Sequence, residues 1–143
     1  NFSVDYLLVE PGISLGAVTV KAGWEQLEGN GVSALQTPLA TLHAFNGWAD
    51  KFLSTPANGL RDLYADVAVK LPAVGSIKGA SARLQYHDYN STRGGLNYGS
   101  ELGAMLAVPI DKHLTATLKF ARYNADDFAT DTTKFWFSLD LKL

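Results

Sequence analysis

Between Leu60 and Leu71 the chain alternates residue by residue. Leu63, Ala65, Val67, Val69 and Leu71 fall on one side of an extended segment, and Asp62, Tyr64, Asp66, Ala68 and Lys70 on the other. Successive side chains of a strand point to opposite faces, so this pattern predicts a strand with one apolar and one wet face. The same rhythm recurs where Val18, Val20, Ala22 and Trp24 oppose Thr19, Lys21, Gly23 and Glu25. It returns where Tyr98, Leu102, Ala104, Leu106 and Val108 oppose Gly99, Glu101, Gly103, Met105 and Ala107. Leu114, Ala116, Leu118 and Phe120 oppose Thr115, Thr117, Lys119 and Tyr123. At the end, Phe135, Phe137, Leu139, Leu141 and Leu143 face away from Lys134, Trp136, Ser138, Asp140 and Lys142. No segment repeats apolar residues at i, i+3, i+4 and i+7 through three turns, so the pattern predicts an all-β chain.

About seven long strands are predicted, near Phe2–Glu10, Val18–Leu27, Leu60–Leu71, Ile77–Tyr89, Tyr98–Val108, Leu114–Tyr123 and Thr133–Leu143. Most run about 9–12 residues, the length that crosses a bilayer at a tilt and roughly twice the usual soluble strand. Alternation alone also fits a soluble barrel or sandwich with its apolar face inside. The connections separate the two readings at this level. Leu15-Gly16-Ala17, Pro72–Gly75 and Pro109–Lys112 read as tight turns, whereas Gly29–Gly59, Ser91–Asn97 and Asn124–Thr132 read as longer and more polar. Short periplasmic turns opposite longer outer loops are the asymmetry of outer-membrane barrels. The pattern therefore predicts an antiparallel up-and-down transmembrane β-barrel segment over residues 1–143. Its C-terminus and short turns would be periplasmic, and its long loop at 29–59 extracellular. Tyr6, Trp24, Tyr64, Tyr86, Tyr89, Tyr98 and Tyr123 lie near strand ends, where aromatic girdles form, although Tyr64 and Tyr123 look inward.

Composition narrows the classes. The chain has 143 residues, 47% of them hydrophobic, and a formal net charge of -2. It contains no apolar run near the ~20 residues of a spanning helix, and no basic surplus of the kind that marks a nucleic-acid partner. Cysteine is absent, which excludes disulfides and thiolate chemistry and suits an oxidising compartment. There is no starting Met, basic n-region or signal h-region, so the front is expected to have been removed by processing or truncation. An odd strand count agrees, because single-chain bacterial barrels close with an even number.

The segment Gly29–Gly59 is too long for a passive hairpin and too apolar for a disordered tail. Thr37 as N-cap and Pro38 at the first helical position predict a short helix over Pro38–Phe45. The segment is expected to fold over or into the barrel mouth, with Leu39, His43, Phe45, Trp48, Asp50 and Lys51 forming a constriction. The alternative is an apolar lid on neighbouring loops without a gating role. The same register predicts a pore lining of Lys21, Glu25, Asp62, Asp66, Lys70, Arg83, His87, Glu101 and Lys119. Inward positives, including Lys134 and Lys142, and inward negatives, including Asp5 and Asp140, are about evenly matched, so counting gives no sign of selectivity. Lys70, Arg83 and Lys119 are the best candidates for contact with an acidic solute.

Enzymatic chemistry has no signature here. His43, His87 and His113 lack metal-site spacing, and no nucleophile elbow or zinc-protease motif occurs. Asp126, Asp127 and Asp131 lack the spacing and glycine of a calcium loop. Neither a cofactor nor a metal is expected, and the chain reads as no enzyme.

The stretch T-P-L-A-T-L-H-A-F-N-G-W-A-D-K-F at Thr37–Phe52, followed by T-P-A-N-G-L-R-D-L-Y at Thr55–Tyr64, resembles the alginate-export family of outer-membrane porin-like proteins. The segment K-F-A-R-Y-N-A-D-D-F-A-T-D-T-T-K-F-W at Lys119–Trp136 is similar to that family's C-terminal hairpin. With the intervening strands the resemblance covers essentially the whole chain. It implies the C-terminal portion of a larger barrel in a Gram-negative outer membrane. Its partners would be outer-membrane lipids, the missing N-terminal part of the barrel and a hydrophilic or anionic solute, including an oligo- or polysaccharide. Such barrels commonly end in Phe, whereas this chain ends in Leu143. Two other functions fit the alternation: a soluble or periplasmic ligand-binding β-barrel with Leu63, Val67, Leu118 and Phe120 inside, and a non-conducting structural barrel.

Overall fold

The computed structural model describes residues 3–37, 43–75 and 77–142. Its strands are β1 (Tyr6–Val9), β2 (Gly12–Leu15), β3 (Val18–Leu27), β4 (Leu60–Lys70), β5 (Ser81–Asn90), β6 (Asn97–Pro109), β7 (Leu114–Ala125) and β8 (Thr132–Leu141). All pair antiparallel in one open sheet, in the order β1-β3-β4-β5-β6-β7-β8, with β2 also on β3. Among the described residues there is no helix.

The sequence predicted about seven strands, and the eighth arises from a proline. Val9 faces Trp24 and Gly12 faces Lys21, so β1 and β2 continue one register across Glu10 and Pro11. Pro11 has no N–H for the ladder, though its carbonyl still accepts from the Ala22 N–H at 3.1 Å. The first predicted strand, Phe2–Glu10, is thus corrected: described pairing starts at Tyr6 and runs on to Leu15, and Phe2 lies outside the described residues.

Two further expectations change. The tight turn at Pro72–Gly75 is part of a ten-residue connection, Leu71–Ala80, because β5 starts at Ser81 rather than Ile77. A small Val74–Ile77 bridge lies within it. The connections Ser91–Leu96 and Asp126–Asp131 are six residues each, so the alternation of short and long does not hold. The helix over Pro38–Phe45 falls mostly outside the described residues. Where the chain is described, from His43, it is not helical: His43 and Asn46 have φ of 64° and 57°.

Burial inverts the soluble pattern. The apolar face of the sheet is open, with Leu63 58%, Leu118 55% and Phe135 76% exposed. Leu84, Leu102, Phe137, Leu139 and Leu141 are exposed beside them. On the other face the polar Glu25, Asp62, Asp66, Gln85, His87 and Glu101 are buried. The apolar face ends in a polar band (Gln26, Arg61, Asn90, Ser100, Asn124 and Thr133, with Asp88 and Arg122 beside them) at the end of the sheet where the 28–59 excursion leaves and returns. That excursion folds back onto the polar face. Its Trp48, Ala49 and Phe52 bury against Leu27, Leu60, Tyr89, Tyr98, Ala121 and Tyr123, and this is where the core sits. A bulge between β5 and β6 leaves Tyr98 without a cross-strand partner. An extra residue of this kind re-aims a side chain, and Tyr98 turns into the core, donating to the Gly59 carbonyl at 3.0 Å.

Candidate functional site

The chemistry-bearing side chains gather where the excursion meets the polar face of the sheet. Its neck is tied first. Gln36 donates to the Thr55 carbonyl at 2.9 Å and accepts from the Thr55 N–H at 3.0 Å. The Thr92 hydroxyl donates to the Asn58 carbonyl at 3.0 Å. Beyond the neck, the Trp48 ring lies against Gly103 of β6. A Cβ there would sit 2.9 Å from the Trp48 ring, so only glycine admits the indole this close. Phe52 packs among Tyr89, Tyr98, Tyr123 and Phe128, with ring centroids 4.5–6.2 Å away.

Glu101 makes this seat specific. Its buried carboxylate accepts from the Trp48 N–H and, at 3.1 Å, from the Ala49 N–H. Amide bonds to a charged acceptor contribute about 1.5–3 kcal/mol each, and leaving those amides unpaired would cost a similar amount. The bend that aims them needs Gly47. Its φ is +77°, and a Cβ would fall 2.3 Å from the Tyr89 hydroxyl and 2.5 Å from Glu101.

The predicted pore residues do share one face. Lys21 pairs with Glu10 at 2.8 Å. Glu25 accepts from the Tyr6 hydroxyl at 2.9 Å. Asp62 holds His87 Nδ1 at 2.8 Å, and the His87 ring stacks between Tyr64 and Tyr89. Asp66 pairs with Arg83. Lys70 is exposed at the far end of β4. Arg83 and Lys119 both lie over the Trp48 ring, at 5.8 and 4.7 Å from its centroid.

Of the predicted constriction residues, Leu39 lies outside the described residues. Phe45 is exposed and Trp48 buried. Lys51 sits 5.5 Å over the Tyr123 ring. His43 and Asp50 form the outer corner of the excursion. Asp50 accepts from Lys134 of β8 at 2.9 Å and from His43 Nε2, and Lys119 meets His43 Nδ1 at 3.0 Å. Burial raises the Asp50 carboxyl, but the bonds from Lys134 and His43 outweigh it and hold the group below the usual carboxylate range.

Several residues of the junction were not among the predicted ones. Glu10, Tyr64, Gln85 and Asn46 line the small cleft beneath the His43–Gly47 corner. Glu10 escaped because the first strand was read with Asp5 inward; the observed register, with Tyr6 opposite Leu27 and Leu8 opposite Glu25, puts Tyr6, Leu8 and Glu10 on the polar face instead. The aromatic girdle is corrected too: Tyr89, Tyr98 and Tyr123 are buried under the excursion, and Trp24 and Tyr86 are left on the open apolar face. Asp127 and Asp131 accept the Asn97 and Ala125 N–H groups, a turn-forming role. Among the described residues no group of three His, Asp or Glu could hold a metal ion. No family model matches the chain, and no curated protein or solved structure matches it either.

Proposed function

We propose that this chain is a section of wall, with an inward-folded loop, of a bacterial outer-membrane β-barrel channel for small hydrophilic and preferably anionic solutes. The observation that carries this reading is the inverted burial: an open apolar face on strands of 10–13 residues from β3 to β8, and buried charge on the opposite face. Each fully exposed large apolar side chain forgoes about 1.5–3 kcal/mol of burial, and a sheet-wide patch of them marks an interaction surface. Lipid suits it, because beyond the polar band, Asp88 and Arg122 included, the face is apolar as far as the turns. The soluble ligand-binding alternative needs Leu63, Val67 and Leu118 inside, and here they point away from the core. The sheet's two free edges, β1/β2 and β8, would pair with further strands of the barrel.

Anion preference rests on how burial sorts the inward charges. Glu25, Asp62, Asp66 and Glu101 are buried. Lys21, Lys70, Arg83, Lys119 and Lys134 all keep part of their side chains in solvent. A solute passing the wall would therefore meet mainly cations, the exposed inward carboxylates Glu10 and Asp140 lying toward the edges of the sheet. The excursion would narrow the lumen from inside, with Lys119, Lys134 and Arg83 at its margin.

The test is planar-bilayer recording from the protein that contains this chain. Expected are a reversal potential of anion-selective sign in a salt gradient, a shift toward cations in Arg83→Ala, and conductance raised about twofold or more by deleting residues 33–54. Cation preference unmoved by Arg83→Ala, with conductance unchanged by the deletion, would refute the reading.

A further inference from the structure

We propose that a groove across the apolar face, from β5 to β8, seats an acyl chain of a phosphate-bearing outer-leaflet lipid whose headgroup is held at Arg122. Such a site presupposes that this face lies in lipid, as proposed for the function. Two cross-strand rows form its ridges. Leu84, Phe120 and Phe135 stand on one, and Leu106, Leu118 and Phe137 on the other. The Phe120 and Phe135 rings have centroids 4.9 Å apart. Between the ridges the floor is backbone, because Arg83, Met105, Lys119 and Trp136 turn their side chains to the polar face. The groove has a volume of about 700 Å³, within the ~300–1,000 Å³ of small-ligand sites. Alanine breaks each ridge: Ala104 lies between Leu84 and Phe120, and Ala82 faces Leu106. A methylene chain lying between the ridges gains contact from both sides, which it would not have on a level surface.

Charge at one corner sets this groove apart from the rest of the face. Arg122 lies two residues along β7 from Phe120, on the same side of the sheet. It is the diagonal neighbour of Ala104 across β6 and β7, about 7–8 Å away. Its Nε donates to Asn124 Oδ1 at 3.0 Å. Among the described residues no carboxylate forms an ion pair with it. The Asp88 carboxylate, two strands away on β5, accepts from Asn90 at 2.8 Å. The terminal N–H groups of Arg122 are therefore open to a phosphate, which a guanidinium grips in bidentate fashion. Thr133, opposite Arg122 on β8, sets a hydroxyl on the same row. A cation at the excursion end and an apolar channel leading from it match the head and tail of an anionic lipid. A second copy of this chain suits the groove less well. Packed about a two-fold axis along the membrane normal, it would bring its own Arg122 to the same level, cation toward cation.

The test is photocross-linking of the protein that contains this chain, reconstituted in phosphatidylcholine vesicles. A trace of phosphatidic acid, or of phosphatidylcholine, carries a diazirine in one acyl chain, and labelled residues are mapped by peptide mass spectrometry. Val20 and Val67, which continue the Leu84–Ala104 row outside the groove, serve as the reference. At residues 82–84 and 104–106 the phosphatidic acid probe should label about threefold to fivefold more than the phosphatidylcholine probe, the worth of one partly solvated ion pair. At Val20 and Val67 the two probes should label alike. Arg122→Gln should bring the groove's ratio to about one. Ala104→Phe, which fills the break but leaves Arg122 in place, should lower groove labelling by both probes. A headgroup ratio in the groove equal to that at the reference, or unmoved by Arg122→Gln, would overturn the proposal while leaving the face in lipid. Label at Val20 and Val67 with none in the groove would put a second copy there, and overturn it too. Label at none of these positions would overturn both the site and the lipid-facing reading.

Discussion

Replacing Trp48 with alanine is expected to unseat the excursion and to cost about 3–5 kcal/mol, the range for removing a large buried aromatic side chain. Trp48 is 2% exposed. Its ring rests on Gly103, where no other residue would admit it, and carries Arg83 and Lys119 over its faces. Cation–aromatic contacts add about 0.5–2 kcal/mol as they are desolvated. Alanine removes all three contacts and leaves a cavity that the flat sheet beneath cannot fill. Glu101 then loses the packing that holds the Trp48 and Ala49 amides over its carboxylate. The cost is read as a lower denaturation midpoint, together with new protease cleavage between residues 43 and 52. A midpoint and cleavage pattern equal to the native protein's would mean that the indole does not hold the loop.

The second large effect concerns the opposite face. Leu118→Arg should cost about 2–4 kcal/mol of folding stability in lipid bilayers, the penalty for a cation near the midplane of a barrel's outer surface. Leu118 lies midway along β7 and is 55% exposed. In water a substitution at so open a position changes stability by no more than about 0.5 kcal/mol. Thr117→Arg, one residue away on the polar face, is the control and should be near neutral. Urea titration of folding into lipid vesicles gives both values. A Leu118→Arg cost no larger than that of Thr117→Arg would place this face in water.

The antiparallel sheet was legible in the sequence because a period of two is a strong signal on long strands. Asp62/Leu63 and Lys119/Leu118 fall on the faces their alternation assigned. What the sequence could not show was the sense of burial, since Leu63 reads the same facing lipid or facing a soluble core. Loop length was expected to settle this and does not: the Leu71–Ala80 connection outruns two of those on the other end. The exposure of the apolar face now carries that weight. The excursion was recognised as apolar and inward-folding, but its conformation was not. A helix was expected from Thr37 and Pro38, whereas the described part at His43–Asp50 turns through left-handed backbone at His43, Asn46, Gly47 and Asp50. Such turns are set by tertiary partners, here Glu101 and the Gly103 surface, more than 50 residues away in sequence. Local propensity has no access to contacts at that separation. The balance of charge was legible by count but not its sorting by depth, because burial of Asp62 and Glu101 depends on the same returning loop.

The most direct test of the account is a nitroxide scan of single cysteines along β8, with the protein reconstituted in lipid vesicles. Collision with oxygen, which concentrates in the acyl region, is compared with collision by a water-soluble nickel complex. The account predicts oxygen dominance at Phe135, Phe137, Leu139 and Leu141, and nickel dominance at Lys134, Ser138 and Asp140, alternating with a period of two. Nickel access at the phenylalanine and leucine positions equal to that at Ser138 and Asp140 would contradict it.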